Sequence, residues 1–248
     1  MSVNRFFVPA SSFEGELVRL SREQARQVCQ VLRLRPEDTL VVLDDRGAEY
    51  DVTLTAVTPK EAVGRVMSKR EAAGEPAVQL TLFQSLLIRE KFEWVLQKAT
   101  EVGVAQVVPV LTARGLVRTK QVEENKLDRW RRIVVEAAEQ SHRGRIPKLE
   151  PVIQFGDVFS QFVGFDRFLI AAPSQAMTLR DALRGIERRD PSIALMIGPE
   201  GGFTDEEVTM AREKGAVAVG LGPRILRTET AAVVASALIL YELGEMGR

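Results

Sequence analysis

The chain has 248 residues, with 34 Lys and Arg against 34 Asp and Glu, so its formal net charge at pH 7 is zero. Hydrophobic residues make up 45% of it, which is typical of a globular protein and excludes a disordered one. One cysteine, Cys29, and one histidine, His142, exclude a disulfide framework and a Cys/His metal cluster. The sequence contains neither a secretory signal nor an apolar run of the ~20 residues that a membrane span needs. We therefore expect a soluble, cytoplasmic protein without a metal.

The first 73 residues have the pattern of a small β-domain. Alternating apolar and polar residues predict three strands, over 39–44, 48–57 and 62–69. Ser21 and Gln24 have the spacing of a capping box, which predicts a helix that runs to Leu34 and is stopped by Pro36. A few short strands with one helix predict a β-barrel over residues 1–73.

The pattern changes after Gly74-Glu75-Pro76, which we interpret as a linker. Strands are predicted over 78–87, 104–111, 167–172, 192–197 and 216–221. Helices are predicted over 89–102, 125–141, 155–162, 178–188, 204–214 and 229–244. Because strands alternate with helices, we expect a second, α/β domain over 74–248, with a parallel sheet covered on both faces.

A glycine-rich loop, Ile197 to Phe203, follows one of these strands. In open α/β sheets, ligands bind beyond the carboxyl ends of the strands, where this loop lies. Its spacing fits neither a dinucleotide fingerprint nor a P-loop. The loop and the next helical turn carry four carboxylates: Glu200, Asp205, Glu206 and Glu207. These charges disfavour a phosphate and favour a neutral or cationic ligand, although a tight turn without a ligand fits the pattern equally well.

A second loop joins the last predicted strand to the last helix, which Thr228 can cap. Arg224 and Arg227 are placed near the same edge of the sheet as the glycine-rich loop. They face a ligand there, or they only form ion pairs with Glu200 or Glu229. The sequence alone leaves both interpretations open.

Two basic zones suggest contact with a polyanion. On an ideal helical wheel Arg22, Arg26 and Arg33 form a narrow stripe. Residues 112–148 contain ten Lys and Arg against five acids. His142 lies in this zone beside arginines, so we interpret it as a surface or RNA-facing residue rather than a general base. Each zone is also compatible with an ordinary solvated face.

Several segments in this order resemble one known family. They are Arg5–Val8, Val31–Leu34, Gln97–Val104, Glu136–Ser141, Ile197–Phe203 and Leu221–Ala231. The chain is similar along nearly its whole length to the RsmE family of 16S ribosomal RNA uridine-N3 methyltransferases, in the SPOUT superfamily. This resemblance implies a PUA-like, RNA-binding β-barrel followed by a SPOUT-type parallel sheet with a deep trefoil knot and helices on both faces.

The resemblance also implies ligands and partners. The cofactor is S-adenosylmethionine, the substrate is one specific uridine of 16S ribosomal RNA in the 30S subunit, and the protein is a homodimer. Residues of both loops are expected to bind the cofactor: Ala171, Ile197, Gly198, Pro199, Glu200, Gly201, Gly202, Leu221, Gly222, Ile225 and Leu226. Six arginines are expected to guide RNA: Arg5, Arg22, Arg26, Arg33, Arg143 and Arg145.

The chemistry of the transfer suggests catalytic roles for three residues. Methylation of N3 requires negative charge to develop on the uracil, and Arg224 or Arg227 is expected to stabilise it on the carbonyl oxygens. Glu229 is a candidate base for the N3 proton, or only a cap or ion-pair residue. Three other functions compete: a non-catalytic RNA-binding or ribosome-assembly factor, a SPOUT methyltransferase acting on a different RNA, and a nucleotide-phosphate enzyme. Intact loops disfavour the first, and the absence of a P-loop lysine disfavours the last.

Overall fold

A computed structural model describes residues 4–88, 90–172 and 177–247, with the backbone alone at 161–163. By its contacts the chain forms two compact units. The first unit extends to Glu75 and includes a second segment, Ala138–Ile146; the second unit comprises Pro76–Ala137 and the chain from Pro147 onward. The sequence predicts a boundary between 73 and 74 and assigns 138–146 to the second domain, so this segment is the main difference.

The first unit is a six-stranded sheet. Its elements are β1 (Arg5–Phe7), β2 (Phe13–Glu14), β3 (Leu17–Arg19), α1 (Arg22–Arg26) with a π-helical turn (Gln27–Val31), β4 (Thr39–Leu43), β5 (Ala48–Val57) and β6 (Ala62–Glu71). The strand order is β1-β4-β5-β6-β3-β2, antiparallel except for the β1–β4 pair. Phe6, Val18, Leu40 and Leu54 meet Ala25 of the helix in one buried core. The three strands predicted from the alternation are all present.

The helix of this unit begins as predicted and ends earlier. The Ser21 side chain accepts a hydrogen bond from the Gln24 backbone, and the Gln24 side chain accepts one from Ser21. The prediction of a helix to Leu34 is wrong, because Arg33 adopts a left-handed conformation with φ of 56°. The Leu34 N–H then bonds to the carbonyl of Val28, at 3.0 Å, which closes the helix end. Arg33 is exposed but lies outside the helix, so the predicted three-residue stripe is not formed.

The segment 138–146 is held in the first unit by buried polar contacts. Glu139 Oε1 accepts a hydrogen bond of 2.9 Å from the backbone N–H of Phe7. Glu75, in the predicted linker, accepts hydrogen bonds from the guanidinium of Arg143 (2.9 Å) and from the backbone N–H groups of Gly144 (2.9 Å) and Arg145 (3.1 Å). Glu75 is therefore an anchored residue rather than part of a solvated spacer.

The second unit contains a parallel sheet. Its strands are β7 (Gln79–Ser85), β8 (Gln106–Leu111), β9 (Lys148–Leu149), β10 (Ile153–Gln154), β11 (Arg167–Ala171), β12 (Met177–Thr178), β13 (Ser192–Ile197) and β14 (Val217–Gly220). Its helices are α2 (Glu90–Val102), α3 (Glu124–Gln140, whose last turn belongs to the first unit), a 3₁₀ segment (Phe155–Gly164), α4 (Leu179–Leu183), α5 (Asp205–Glu213) and α6 (Thr228–Glu242). The strand order is β10-β8-β7-β13-β11-β14-β12, with β9 beside β8, and every recorded pair is parallel. The predicted parallel α/β sheet is confirmed.

Both faces of this sheet are buried. Phe83 and Met196 point into a cluster that contains Phe155 of the 3₁₀ segment and Ala211 of α5. Their neighbours along the strands, such as Leu82, are also fully buried and alternate to the opposite face. Helix α6 packs on β7 and β13 and against α2. The predicted burial on two faces is therefore confirmed.

One helix of the second unit is much shorter than predicted. The helix predicted over 178–188 is only the five-residue α4, because Arg184 turns to an extended ψ of 144° and Gly185 takes a φ of +78°. Residue 89, where the next predicted helix begins, lies outside the described residues. No helix in the described part of the chain is long and apolar enough to cross a membrane.

Candidate functional site

A cavity of about 530 Å³, the first cavity, lies in the second unit where β11, β13 and β14 end. All the predicted cofactor residues line it, and so do Arg224, Arg227 and Glu229. Five further residues line it that were not predicted to face a ligand: Lys91, Ala172, Val219, Thr228 and Ala231. The loop after β7, which leads into α2 and Lys91, ends at the same carboxyl edge and was the signal that could have indicated Lys91.

The glycine-rich loop requires glycine at two positions for different reasons. A Cβ at Gly198 would lie 3.2 Å from the Phe203 ring and 3.2 Å from the Phe203 backbone nitrogen. Gly202 has a φ of +68° and donates its N–H to the Pro199 carbonyl at 2.9 Å. The loop is thus a tight turn whose backbone, rather than its side chains, forms much of the cavity wall.

Helix α5 begins after this loop with a complete capping box. Thr204 accepts a hydrogen bond from the Glu207 N–H at 3.1 Å, and Glu207 Oε2 accepts one from the Thr204 N–H at 2.9 Å. Glu207 Oε1 accepts a further hydrogen bond, of 2.8 Å, from the N–H of Ala113. Both oxygens of this buried carboxylate are therefore used for structure, and Glu207 contributes nothing to a ligand.

The loop after β8 braces the glycine-rich loop. Arg114 Nη1 donates hydrogen bonds to the carbonyl oxygens of Gly201 (3.2 Å) and Phe203 (3.1 Å). The Arg114 stem also packs on Gly201, where an added Cβ would lie 3.3 Å from Arg114 Cβ. These contacts fix the far end of the glycine-rich loop.

Thr228 connects the two loops. Arg227 is the N-cap residue of α6 and makes no side-chain cap bond, so the prediction that Thr228 caps the helix is wrong. Thr228 is the first helical residue, and its hydroxyl donates a hydrogen bond to the carbonyl of Gly198. The same hydroxyl accepts a bond from Gln84 Nε2 at 3.4 Å, at the end of β7. The buried hydroxyl thus links both loops to β7, an interior strand of the sheet.

The charges of the first cavity differ from the sequence interpretation in one respect. Glu200 pairs with Lys91 Nζ at 2.9 Å. Partial burial acts to raise the pKa of Glu200, but the hydrogen bond from Lys91 outweighs it and the pKa lies below its ordinary value. The same hydrogen bond raises the pKa of Lys91. Glu200 is therefore paired and Glu207 is used for structure, so Asp205 and Glu206 are the two of the four carboxylates that stay exposed.

The remaining charged groups are arranged for a ligand. Neither Arg224 nor Arg227 forms an ion pair with Glu200 or Glu229 within the described residues, and both are exposed at the cavity. Glu229 Oε2 is buried and has no hydrogen-bond partner in that same part of the chain. A buried carboxylate oxygen without a partner is costly, so it indicates a position where a ligand supplies the missing donor or charge.

The predicted RNA-guiding arginines of the first unit divide into two groups. Arg22, Arg26, Arg33 and Arg145 are exposed, as is His142. The expectation is wrong for Arg5, which is buried against the carboxylate of Glu49, and for Arg143, which is 2% exposed and bound by Glu75. Both guanidiniums stabilise the unit and are not available to a polyanion.

Comparison with known proteins agrees with these features. The family model described as an RNA methyltransferase domain matches residues 74–240, and the one described as an RNA methyltransferase PUA domain matches 20–67. The ribosomal RNA small subunit methyltransferase E of Bacillus subtilis is 29% identical over 92% of this chain and 91% of its own length. The protein of the same name from Synechocystis is 33% identical over 90% of this chain and 72% of its own length.

A solved structure is similar in fold throughout. The ribosomal RNA small subunit methyltransferase E from Neisseria gonorrhoeae, bound to S-adenosyl methionine, is 31% identical and superposes with a TM-score of 0.85. The similarity covers 97% of this chain and 98% of that one. The match to the PUA domain covers most of the sheet of the first unit, and the match to the methyltransferase domain covers the parallel sheet and both loops of the first cavity. The chain therefore belongs to the RNA methyltransferase family with an N-terminal PUA domain, the family of ribosomal RNA small subunit methyltransferase E.

Proposed function

We propose that the protein transfers the methyl group of S-adenosylmethionine to N3 of a specific uridine in 16S ribosomal RNA of the small ribosomal subunit. The observation that carries the proposal is the charge arrangement of the first cavity. One buried carboxylate oxygen, Glu229 Oε2, lacks a partner, while Arg224 and Arg227 stand exposed at the same cavity. The names of the relatives, which are ribosomal RNA methyltransferases, agree with this chemistry.

The cavity fits the cofactor in size and lining. Its volume of about 530 Å³ is within the usual range for small-molecule sites, and its wall combines loop backbone with apolar side chains. Ile225, 94% exposed, and the half-buried Leu221 and Leu226 offer apolar surface to a purine. The backbone groups of Gly198 and Gly201 would hold the polar parts. When bound, S-adenosylmethionine supplies a methyl group on a positively charged sulfur.

In the proposed mechanism the chain acts on the uracil by positioning and electrostatics. Arg227, with Arg224 beside it, stabilises negative charge on a uracil carbonyl oxygen as N3 loses its proton. Glu229 Oε2 accepts that proton. The two loops, held by Thr228 and Arg114, fix the geometry of the reacting groups, which contributes to the rate by itself.

The first unit is proposed to bind RNA as a PUA-like domain, which comprises the predicted residues 1–73, extended to Glu75, and the segment Ala138–Ile146. Arg22, Arg26, Arg33 and Arg145 are the exposed guanidiniums that would contact phosphates. Arg5 and Arg143 take no part. The substrate, and hence the place of action, is the 30S subunit in the cytoplasm.

We include two further features in the proposal: a SPOUT-type trefoil knot and a homodimer. The knot is proposed from the family to which the chain belongs, and the strand order, in which β13 lies between β7 and β11 although it follows both in sequence, is compatible with it. The homodimer is supported by exposed apolar residues on the packed pair α2 and α6. They are Trp94 (42% exposed), Leu238 (40%) and Tyr241 (58%).

The proposal is tested by transfer of labelled methyl from S-adenosylmethionine to small subunits that lack the modification, with naked 16S RNA in parallel. We expect incorporation with the wild-type protein and a loss of at least about a hundredfold with Arg227→Ala at unchanged cofactor affinity. Should Arg227→Ala bind cofactor and RNA normally and transfer methyl at the wild-type rate, the role given to this arginine is wrong. If the wild-type protein does not bind S-adenosylmethionine, the enzyme proposal fails and an RNA-binding factor takes its place.

A further inference from the structure

A second cavity, of about 310 Å³, lies in the second unit where β8 and β10 end. Its wall is apolar at Leu111, Val117 and Phe155 and polar at Arg118 and Gln154. The described residues that line it include no carboxylate and none of the residues that line the first cavity. It is therefore a separate site, which the proposed transfer chemistry does not use.

One loop separates the two cavities. Ala113 lines the second cavity, and its neighbour Arg114 bonds to the carbonyl of Gly201, which lines the first. On the other side, the ring of Phe155 lies 5.9 Å from the ring of Phe203, centroid to centroid. A ligand in the second cavity is thus separated from the first cavity by a single loop.

The polar groups of the second cavity are suited to a nucleotide. Arg118 Nη1 donates to the Ala113 carbonyl at 2.7 Å, which holds the guanidinium at the rim. Among the described residues no other partner of this guanidinium is found, and none for the side-chain amide of the exposed Gln154. An arginine binds phosphate, and an amide with both donor and acceptor matches a base edge. Because Leu111 and Phe155 are buried, the half-buried Val117 supplies the apolar contact for a base.

The electrostatic surroundings favour an anionic ligand. Asp157, beside the cavity residue Gly156, pairs with Lys120 at 3.0 Å. The hydrogen bond from Lys120 lowers the pKa of Asp157, so this carboxylate is ionised but its charge is compensated. Of the described residues that line the cavity, Arg118 alone carries a charge, while Arg114 is engaged with the glycine-rich loop.

We propose that the second cavity binds one unpaired nucleoside of the RNA substrate, a neighbour of the uridine that enters the first cavity. The base lies against Val117, the Gln154 amide contacts its edge, and Arg118 contacts a phosphate. This inference rests on the proposed function, since it presumes an RNA substrate. It adds a subsite that holds the RNA on the side of the glycine-rich loop that faces away from the first cavity.

Gly156 offers a direct test, because it lies on the wall of the second cavity and a Cβ built there meets no atom within 4 Å. Gly156→Leu adds an apolar side chain at the cavity wall, and its Cβ has room there. Gly164→Leu is a matched control: it lies at the other end of the same 3₁₀ segment, its Cβ also meets no atom within 4 Å, and it does not line the cavity. We compare the KM for small subunits, the Kd for S-adenosylmethionine and the melting temperature of both variants.

We expect Gly156→Leu to raise the KM for the RNA substrate about tenfold, within the range that one bound base contributes, while the cofactor Kd stays within about twofold. Gly164→Leu should match the wild type. An unchanged KM for Gly156→Leu, with methyl transfer by the wild type intact, overturns this inference alone; absence of transfer by the wild type overturns the proposed function. If Gly156→Leu lowers the melting temperature, the exposed substitutions Gln154→Ala and Arg118→Gln give the same readout, and an unchanged KM in both again overturns the inference.

Discussion

The hydroxyl of Thr228 donates a hydrogen bond to the carbonyl oxygen of Gly198 and accepts one from Gln84. In sequence, Thr228 is 30 positions from Gly198 and 144 positions from Gln84, and these bonds join the three residues beneath the first cavity. The two loops that line this cavity do not depend on their glycines alone for their shape. The buried hydroxyl of Thr228 is the contact that joins the two loops directly, in addition to the bonds by which Arg114 braces one of them.

Thr228→Val removes this hydroxyl and keeps the side-chain shape. The Gly198 carbonyl then loses the bond from this hydroxyl and the Gln84 amide keeps only its bond to the Ser85 carbonyl, so we expect the free energy of unfolding to fall by about 1–3 kcal/mol. Because the loops are also loosened, the Kd for S-adenosylmethionine should rise in calorimetric titration. Thr228→Ser, which keeps the hydroxyl, is the control and should bind cofactor nearly as the wild type does. Equal cofactor affinity in the Val and Ser variants would exclude the positioning role.

Glu229→Gln tests the proposed base. The amide has nearly the shape of the carboxylate but does not accept the N3 proton, so we expect kcat to fall about a hundredfold. The Kd for the cofactor should change little, because the backbone of the loops supplies most of its contacts. Single-turnover methyl transfer together with calorimetry separates the two effects. A raised cofactor Kd with an unchanged rate of the chemical step would instead make Glu229 a cofactor ligand.

The pair of Arg5 and Glu49 in the first unit gives a prediction for pH. Burial acts to raise the pKa of Glu49, but the hydrogen bonds from Arg5 and Arg70 outweigh it and lower the pKa below its ordinary value of 4.5. The pair therefore stabilises the fold fully above about pH 4.5, and this contribution is lost as the pH falls through the lowered pKa. Glu49→Gln should cost about 3 kcal/mol at pH 7 in denaturant unfolding, and less at pH 3.

The exposed pair of Arg19 and Glu61 is the control for that measurement. Both side chains are 50% exposed, so Glu61→Gln should change the free energy of unfolding by no more than about 0.5 kcal/mol at either pH. A cost of Glu49→Gln that is the same at pH 7 and pH 3 would show that the carboxylate charge does not stabilise the unit.

Arg143 and Arg22 should respond differently to alanine substitution. Arg143→Ala leaves the carboxylate of Glu75 without its buried guanidinium, and we expect a loss of about 3 kcal/mol in stability. Arg22→Ala, at an exposed position, should leave stability within about 0.5 kcal/mol of the wild type. It should reduce the slope of log affinity for RNA against log salt by about 1. If Arg143→Ala reduced the salt dependence of RNA affinity and Arg22→Ala did not, Arg143 rather than Arg22 would be the residue that contacts RNA.

Helices and strands that are specified by neighbouring residues in the sequence were predicted well. The capping box of Ser21 and Gln24 and the apolar strand Ser192–Ile197 lie where the sequence places them. The π-helical turn after α1 was not predictable in this way, because a helical wheel assumes a constant rotation per residue. For the same reason the sequence placed Arg33 on a stripe that it does not join.

Contacts between distant residues explain the remaining differences. Arg143 and Glu75 are 68 positions apart, and Lys91 and Glu200 are 109 apart, so no spacing rule connects them. The sequence showed many arginines in the zone 112–148 and many carboxylates near the glycine-rich loop, but it did not show which of them form ion pairs within the fold. The first cavity was predictable because the carboxyl ends of parallel strands meet at one edge of the sheet.

The most direct test of the central claim is to identify the methylated product. Small subunits lacking the modification are incubated with the protein and S-adenosylmethionine, the RNA is analysed by primer extension, and its nucleosides are identified by mass. A methyl group on N3 blocks the pairing edge of uridine, so we predict one new stop at a single uridine and the appearance of 3-methyluridine. Methylation of another base or of a ribose, or no incorporation despite cofactor binding, would contradict the proposed function.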